Sequence, residues 1–260
     1  MPELPEVEAY RRLAETSALG RVIGDVHAPD SWYLKRGAEA ATVRAALTGH
    51  RFVAARRIGK VLLLDTDAGP TLGLRFGMTG RLLVDDVAGV DKLKYSSSRH
   101  EPGWDRFVVE YERGGRLAMR DPRRLGGVEL DPDEGGLGYD ALAVTPGQLS
   151  QALHSHAPLK ARLMDQSRIA GIGNLLADEI LWRARLDPAR PSDTLDGADL
   201  RRLHRHLRGT VRDLMARGGS HTGDLGPARA PGGRCPRDGA ALVRRTVGGR
   251  TTWSCPVHQL

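Results

Sequence analysis

The hydrophobic pattern of this chain changes period once, and that change limits the folds open to it. From Arg21 to Pro122 the apolar residues come in short runs: Val22-Ile23, Phe52 to Ala54, Val61 to Leu64, Leu72 to Phe76, Arg81 to Val84, Phe107 to Val109 and Arg116 to Met119. Gly, Asp and Pro separate them, the mark of strands joined by turns. No long helical pattern lies between the runs, which argues against parallel βαβ units and for a β-sandwich. From Gln148 onward the period is helical. Leu159 to Gln166 and Ile169 to Trp182 read as a helix, a Gly-rich double turn and a second helix, together about 158–185. Asp199 to Arg217 reads as an amphipathic helix with Leu200, Leu203, Leu207, Val211 and Leu214 on one face. The expected class is α+β: an N-terminal helix and a two-layer β-sandwich over 1–131, a turn-rich hinge or linker over 132–147, and a mainly helical domain over 148–260.

At 260 residues the chain is long enough for two cores. Its formal charge is +7, and most of its cations are arginines, whose planar fork suits phosphate. A polyanion is the natural partner, although anionic membranes and RNA attract such a chain too. No apolar run approaches a membrane span, and the acidic N-terminus lacks the basic start and apolar centre of a secretory signal. The expectation is a cytoplasmic, monomeric protein that does not use a membrane. Its two cysteines, Cys235 and Cys255, lie near one another at the far end, and in a reducing compartment a metal site is favoured over a disulfide.

Several short motifs carry chemistry. An initiator Met before a small residue is normally trimmed, which would leave Pro2 as a terminal secondary amine. Such an amine titrates at about 7.7–8.0 and is a nucleophile toward carbonyl-like carbons. Glu3 and Glu6 stand beside it as acid and base. The same residues also read as a plain helix start, with Pro5 in the first turn, Glu6 and Glu8 at the positive end, and Val7, Tyr10, Leu13 and Ala14 as an apolar stripe. The two readings coexist if the helix fixes the amine and carboxylates in place. Lys60 precedes the most apolar strand. Met78, between glycines in Phe76-Gly77-Met78-Thr79-Gly80, is placed at a turn tip, and Asp121-Pro122-Arg123-Arg124-Leu125-Gly126 forms a second loop. Asn174 stands at an N-cap position after Gly171 and Gly173, where amides and helix dipole suit a phosphate. Cys235-x2-Asp238, sixteen residues, then Cys255-x2-His258 offers four legitimate zinc ligands around a hairpin (about 233–260) with Gly248-Gly249 at its turn.

Taken together and in this order, these motifs resemble the formamidopyrimidine-DNA glycosylase and endonuclease VIII family of base-excision repair enzymes. The resemblance implies a helix-two-turn-helix at 158–185 and a C-terminal zinc-finger-like hairpin holding one structural Zn2+. It implies a bifunctional DNA glycosylase and AP lyase acting on damaged DNA, nucleoid-associated in a bacterium, through a Schiff base on Pro2 and β,δ-elimination. Glu3, Glu6, Lys60 and Arg250 would share the chemistry with Pro2. Met78, Arg123 and Leu125 would fill the gap left by a flipped nucleotide, while Arg106, Arg124, Lys160, Asn174 and Arg250 would contact DNA. Three departures stand out: Leu125 where the formamidopyrimidine branch usually has Phe, Asp238 and His258 where the family has Cys, and a short 220–234 segment with no counterpart to the loop that caps 8-oxoguanine. A non-catalytic damage-binding protein of the same fold is the alternative.

Overall fold

A computed structural model describes residues 2–94, 97, 99 and 101–260. The chain forms two compact units, one of Glu6–Glu134 with Pro2 before it, the other of Gly135–Leu260 with Glu3–Pro5.

In the first unit, α1 (Leu4–Ser17) is followed by β1 (Ile23–His27), α2 (Ala40–Leu47), β2 (Phe52–Ile58), β3 (Val61–Thr66), β4 (Leu72–Arg75), β5 (Arg81–Val84), β6 (Val87–Ala88), β7 (Asp105–Tyr111), β8 (Arg116–Arg120) and β9 (Gly127–Leu130). The strands make two antiparallel sheets, ordered β1-β7-β8-β5-β6 and β2-β3-β4-β9. Alternation decides the register: Leu62 and Leu64 of β3, Leu72 and Leu74 of β4, Phe107 and Val109 of β7, and Leu117 and Met119 of β8 enter one core with Val7, Tyr10 and Ala14 of α1. Leu83, Val108 and Ala118 make a smaller cluster of their own. Each of the seven apolar runs coincides with a strand, with Val22 and Phe76 just outside β1 and β4. Three elements were not expected, α2, β6 and β9.

The second unit holds β10 (Tyr139–Asp140), α3 (Pro146–Leu153), α4 (Leu159–Met164), β11 (Ile169–Ala170), α5 (Asn174–Ala184), α6 (Gly197–Ala216), β12 (Val243–Val247) and β13 (Arg250–Ser254). The stretch read as a linker carries structure: Tyr139-Asp140 pairs in parallel with Ile169-Ala170, and Thr145 with Gln148 closes a capping box on α3. The stripe on α6 packs as its period requires, with Leu203, Leu207, Val211 and Leu214 buried among α3, α4 and α5 side chains. β12 and β13 pair from Val243↔Ser254 to Val247↔Arg250. Gly248 and Gly249, at φ 56° and 71°, provide the two left-handed residues that such a two-residue turn demands. No described helix is long and apolar enough to cross a membrane.

Candidate functional site

Glu3 is fully buried, and its carboxylate sits on the first turn of α5. Oε2 accepts the amides of Gly173 and Leu176 at 3.0 Å each, and Oε1 accepts that of Leu175 at 2.9 Å. A helix start leaves these donors free and favours negative charge, so the chain's own carboxylate caps the helix. The glycines follow from this packing. A Cβ on Gly173 would stand 2.2 Å from Glu3 Cδ, and one on Gly171, at φ 114°, 2.6 Å from Leu4 Cδ1. The expectation that the amides of Gly171 to Asn174 are open to a phosphate is therefore corrected for Gly171 and Gly173. Gly173 N donates to Glu3 and Gly171 N to Gln166 Oε1. The N-cap is Gly173, and Asn174 is the first helical residue. Asn174 Oδ1 is buried with no hydrogen-bond partner, so its side chain is not what caps the helix.

In the first unit, the loops 76–80 and 121–126 are bound to each other through Asp121. Its Oδ1 accepts from Thr79 Oγ1 and from Arg123 N at 3.2 Å, and its Oδ2 accepts from Gly126 N at 2.8 Å. Gly77, at φ 55°, lies so close to the Leu125 backbone that a Cβ would come within 2.4 Å. The loop carrying Met78 and the loop carrying Arg123 and Leu125 thus form one presentation platform. Arg123 is exposed, and Leu125 is 50% exposed, an aliphatic side chain left in water by a well-tied loop. The local sequence gives Asp121 no role, because its partner Thr79 lies 42 residues away.

Two arginines expected on DNA have partners inside the protein. Arg124, at φ 56°, places Nε and Nη2 on the Asp30 carboxylate, and Arg106 Nε donates to Asp121 O at 3.0 Å with its side chain only 18% exposed. Arg106 is a brace for the 121–126 loop rather than a free phosphate ligand, and most of the Arg124 fork is committed to Asp30. Arg124 holds the Asp30 carboxyl below its ordinary value of 3.8. The sign follows: a depressed folded pKa gives stability that is complete above the ordinary value and is lost as pH falls through the folded one. The stability difference between the wild type and Arg124→Ala, measured by thermal melts, is expected to be constant near neutrality and to close as pH falls below 3.8.

Lys60 is the second residue of the two-residue turn between β2 and β3, after Gly59 at φ 56°. Arg57, its side chain 6% exposed, donates to Gly59 O at 3.0 Å and to Glu8 Oε2 at 3.1 Å. Arg11 also pairs with Glu8. Burial alone would push the Glu8 carboxyl up, but Arg11 and Arg57 outweigh it and the net shift is downward. This chain of contacts ties the Lys60 turn to α1, whose first turn carries the buried Glu6.

In the second unit, Lys160 is fully buried, so the expected DNA contact is corrected. Its ammonium lies 2.7 Å from Asp178 Oδ1 and donates to Thr252 Oγ1 at 2.8 Å and Thr251 O at 3.1 Å. Asp178 Oδ2 accepts from Arg229 at 2.7 Å and from Trp253 N at 3.3 Å. The network fastens β13 to α4 and α5, one residue beyond Arg250. Arg250 itself is exposed, and its guanidinium makes no hydrogen bond or ion pair among the described residues. The 220–234 segment is strapped down too, Asp224 N and Leu225 N donating to Glu179 and Arg229 to Asp178.

Residues 1–128 match the sequence profile of the formamidopyrimidine-DNA glycosylase N-terminal domain, and residues 138–224 that of the formamidopyrimidine-DNA glycosylase H2TH domain. The chain is 34% identical to a formamidopyrimidine-DNA glycosylase of Paracoccus denitrificans over 289 residues, covering all of both chains. It is 33% identical to one of Chloroflexus aggregans over 283 residues, covering 100% of this chain and 99% of the relative. The chain belongs to the formamidopyrimidine-DNA glycosylase family. Its fold is that of Lactococcus lactis Fpg solved with an abasic-site DNA, at 24% identity and a TM-score of 0.84 over 100% of both chains.

The C-terminal hairpin brings the four expected ligand residues into one cluster. Donor atoms of Cys235, Asp238, Cys255 and His258 lie within 4.8 Å of one another. Asp238 Oδ2 is 2.6 Å from His258 Nδ1 and 3.3 Å from Cys255 Sγ, while Cys235 Sγ is 3.8 Å from His258 Nδ1. Tetrahedral bonds of about 2.0–2.3 Å would set such atoms roughly 3.3–3.8 Å apart, so small adjustments would admit one ion. Cys235 Sγ accepts from Trp182 Nε1 at 3.3 Å and from Arg237 N at 3.4 Å, contacts that suit a sulfur bearing negative charge.

Proposed function

We propose that this family member is a bifunctional DNA glycosylase and AP lyase that works as a monomer on damaged DNA. The observation that carries the reading is the anchoring of Glu3: a buried carboxylate held by three amides, joined directly to Pro2, gives the terminal amine a fixed acidic neighbour once Met1 is removed. The amine lone pair of Pro2 attacks C1′ of the flipped nucleotide, the glycosidic bond breaks, and the base leaves with a proton. Glu3, a carboxylate at rest, takes the proton that the Pro2 nitrogen sheds on attack and passes it to the sugar ring oxygen as the ring opens to an iminium. Water supplies the proton that leaves with the base. The iminium acidifies the C2′ proton, and its removal expels the 3′ phosphate. A second elimination expels the 5′ phosphate, and hydrolysis of the imine returns Pro2. Glu6 supports this geometry, Lys60 moves protons and meets phosphate, and Arg250 meets the phosphates beside the lesion. Met78, Arg123 and Leu125 occupy the vacated space, and flipping costs roughly a few kcal/mol, least at a poorly paired base. Asn174 contacts the backbone through its side chain.

Zinc fits the S, S, O and N donors and, when bound, holds the hairpin closed. We expect about one zinc per chain by atomic emission and its loss in Asp238→Ala/His258→Ala. Replacing both residues with Cys is expected to slow stripping by a chelator, and an unchanged rate would count against zinc at these ligands.

Borohydride trapping on a duplex with one abasic site tests the enzyme reading, with Pro2→Gly as control and intact mass to establish removal of Met1. A covalent adduct on Pro2 with strand scission is expected. Tight binding with neither adduct nor scission would replace this reading with a non-catalytic damage-binding protein.

A further inference from the structure

At the end of α5 opposite Asn174, about 15 Å along the helix at 1.5 Å per residue, lies a cavity of about 760 Å³. The C-terminal end of α5, the start of α6 and the metal-binding turns line it, and six of its lining residues are arginines. Three are neutralised within the fold. Arg183 pairs with Glu179, Asp213 and Asp224, while Arg190 and Arg202 share Asp199. The other three, Arg185, Arg205 and Arg237, are exposed and have no carboxylate partner among the described residues. They come from three separate elements. Arg185 is held in left-handed conformation, φ 58°, by the helix end, and Arg237 lies over the Trp182 ring at 4.8 Å. The excess of positive charge registers on His206 in the same cavity: burial, then the cations of Arg205 and Arg237, push its imidazole below the ordinary value.

We propose that this cavity binds a compact oligophosphate, of the class of inorganic triphosphate or the phosphate tail of a nucleotide. Guanidinium forks recognise phosphate oxygens in pairs, and the volume lies within the roughly 300–1,000 Å³ range of small-molecule sites. Forks converging on one concavity suit closely spaced charges better than a duplex, whose phosphates follow a long open track. Neither the proposed excision chemistry nor the wedge loops use these residues, so the site stands apart from that reading.

The test is calorimetric titration of the full chain with sodium triphosphate and, separately, with ATP, in the wild type and in Arg185→Gly/Arg205→Ala. Glycine suits the left-handed position, and Arg205 lies on the exposed face of α6, so the melting temperature without ligand is expected to be unchanged. Arg205→Glu alone serves as a second variant. Binding is expected in the wild type, weakened by about tenfold or more in each variant, and persisting when an abasic duplex is already bound. Absent binding, equal affinity in the variants, or displacement by the duplex would overturn the proposal. So would a variant that loses affinity for a single-stranded oligonucleotide while triphosphate never binds, since that would make the ligand nucleic acid. ATP binding with none for triphosphate would also overturn it, because the phosphates would not be what is recognised.

Discussion

Replacing Glu3 with alanine is expected to lower stability by about 3 kcal/mol or more, taking about 1 kcal/mol as the least cost of each of three orphaned buried donors, and to end base excision. The donors are the amides of Gly173, Leu175 and Leu176, and no other side chain among the described residues accepts from them. Glu3→Gln separates anchor from acid. It keeps the shape and one acceptor oxygen but turns an NH2 group toward N–H donors, so the melting temperature falls while the chain still folds. Base excision, which needs the sugar ring opened, is expected to slow by about 10²–10⁴, the usual contribution of a positioned proton donor. Cleavage at a preformed abasic site should survive better, because that sugar already samples an open aldehyde. Gly173→Ala should resemble the Glu3 variants, since its Cβ would stand 2.2 Å from Glu3 Cδ. Excision by Glu3→Gln at the wild-type rate would reduce Glu3 to an anchor alone.

The strands were legible because burial on one face imposes alternation, as in Leu62 and Leu64 or Phe107 and Val109. β9 was not, because its central Glu129 is buried yet charged, satisfied by Arg75 and Arg36, so the run lacks a strand's apolar pattern. α2 escaped because only Val43 and Leu47 of its eight residues are buried, too few to set a period. Residues proposed to act through their own side chains, such as Arg250 and Met78, follow from short motifs and the family resemblance those motifs carry. Carboxylate partners do not. Arg124 and Asp30 are 94 positions apart, and Glu3 and Leu176 are 173 apart. A cation whose partner is distant reads as a free cation, so nothing local opposes the DNA contacts that the resemblance implies for Arg106, Arg124 and Lys160. One signal was available: Asp178 and Glu179 interrupt the apolar run Leu175 to Trp182, and acids inside a buried helix need cations brought to them.

Asp178 yields the second large effect. It is fully buried and faces two cations, Lys160, fully buried, and Arg229, with a side chain 6% exposed. Removing the acid leaves both uncompensated, whereas removing Lys160 leaves Asp178 still bonded to Arg229 and to Trp253 N. Breaking a buried pair at one partner costs about 3–5 kcal/mol, while replacing both partners with matched uncharged groups is often close to neutral. Asp178→Asn is therefore expected to cost about 3–5 kcal/mol and Lys160→Met less. The double variant should recover part of the loss, because burial already disfavours the Lys160 charge and pushes its pKa below the ordinary value. The functional consequence runs through β13. Lys160 donates to Thr251 O and Asp178 accepts from Trp253 N, so loosening this clamp frees the strand that begins at Arg250. Hydrogen exchange of β12 and β13 in Asp178→Asn is expected to accelerate ahead of that in α6, with abasic-site cleavage falling in parallel. A uniform acceleration across α3 to α6 would instead make Asp178 a determinant of the whole helical unit, with no special hold on the Arg250 strand.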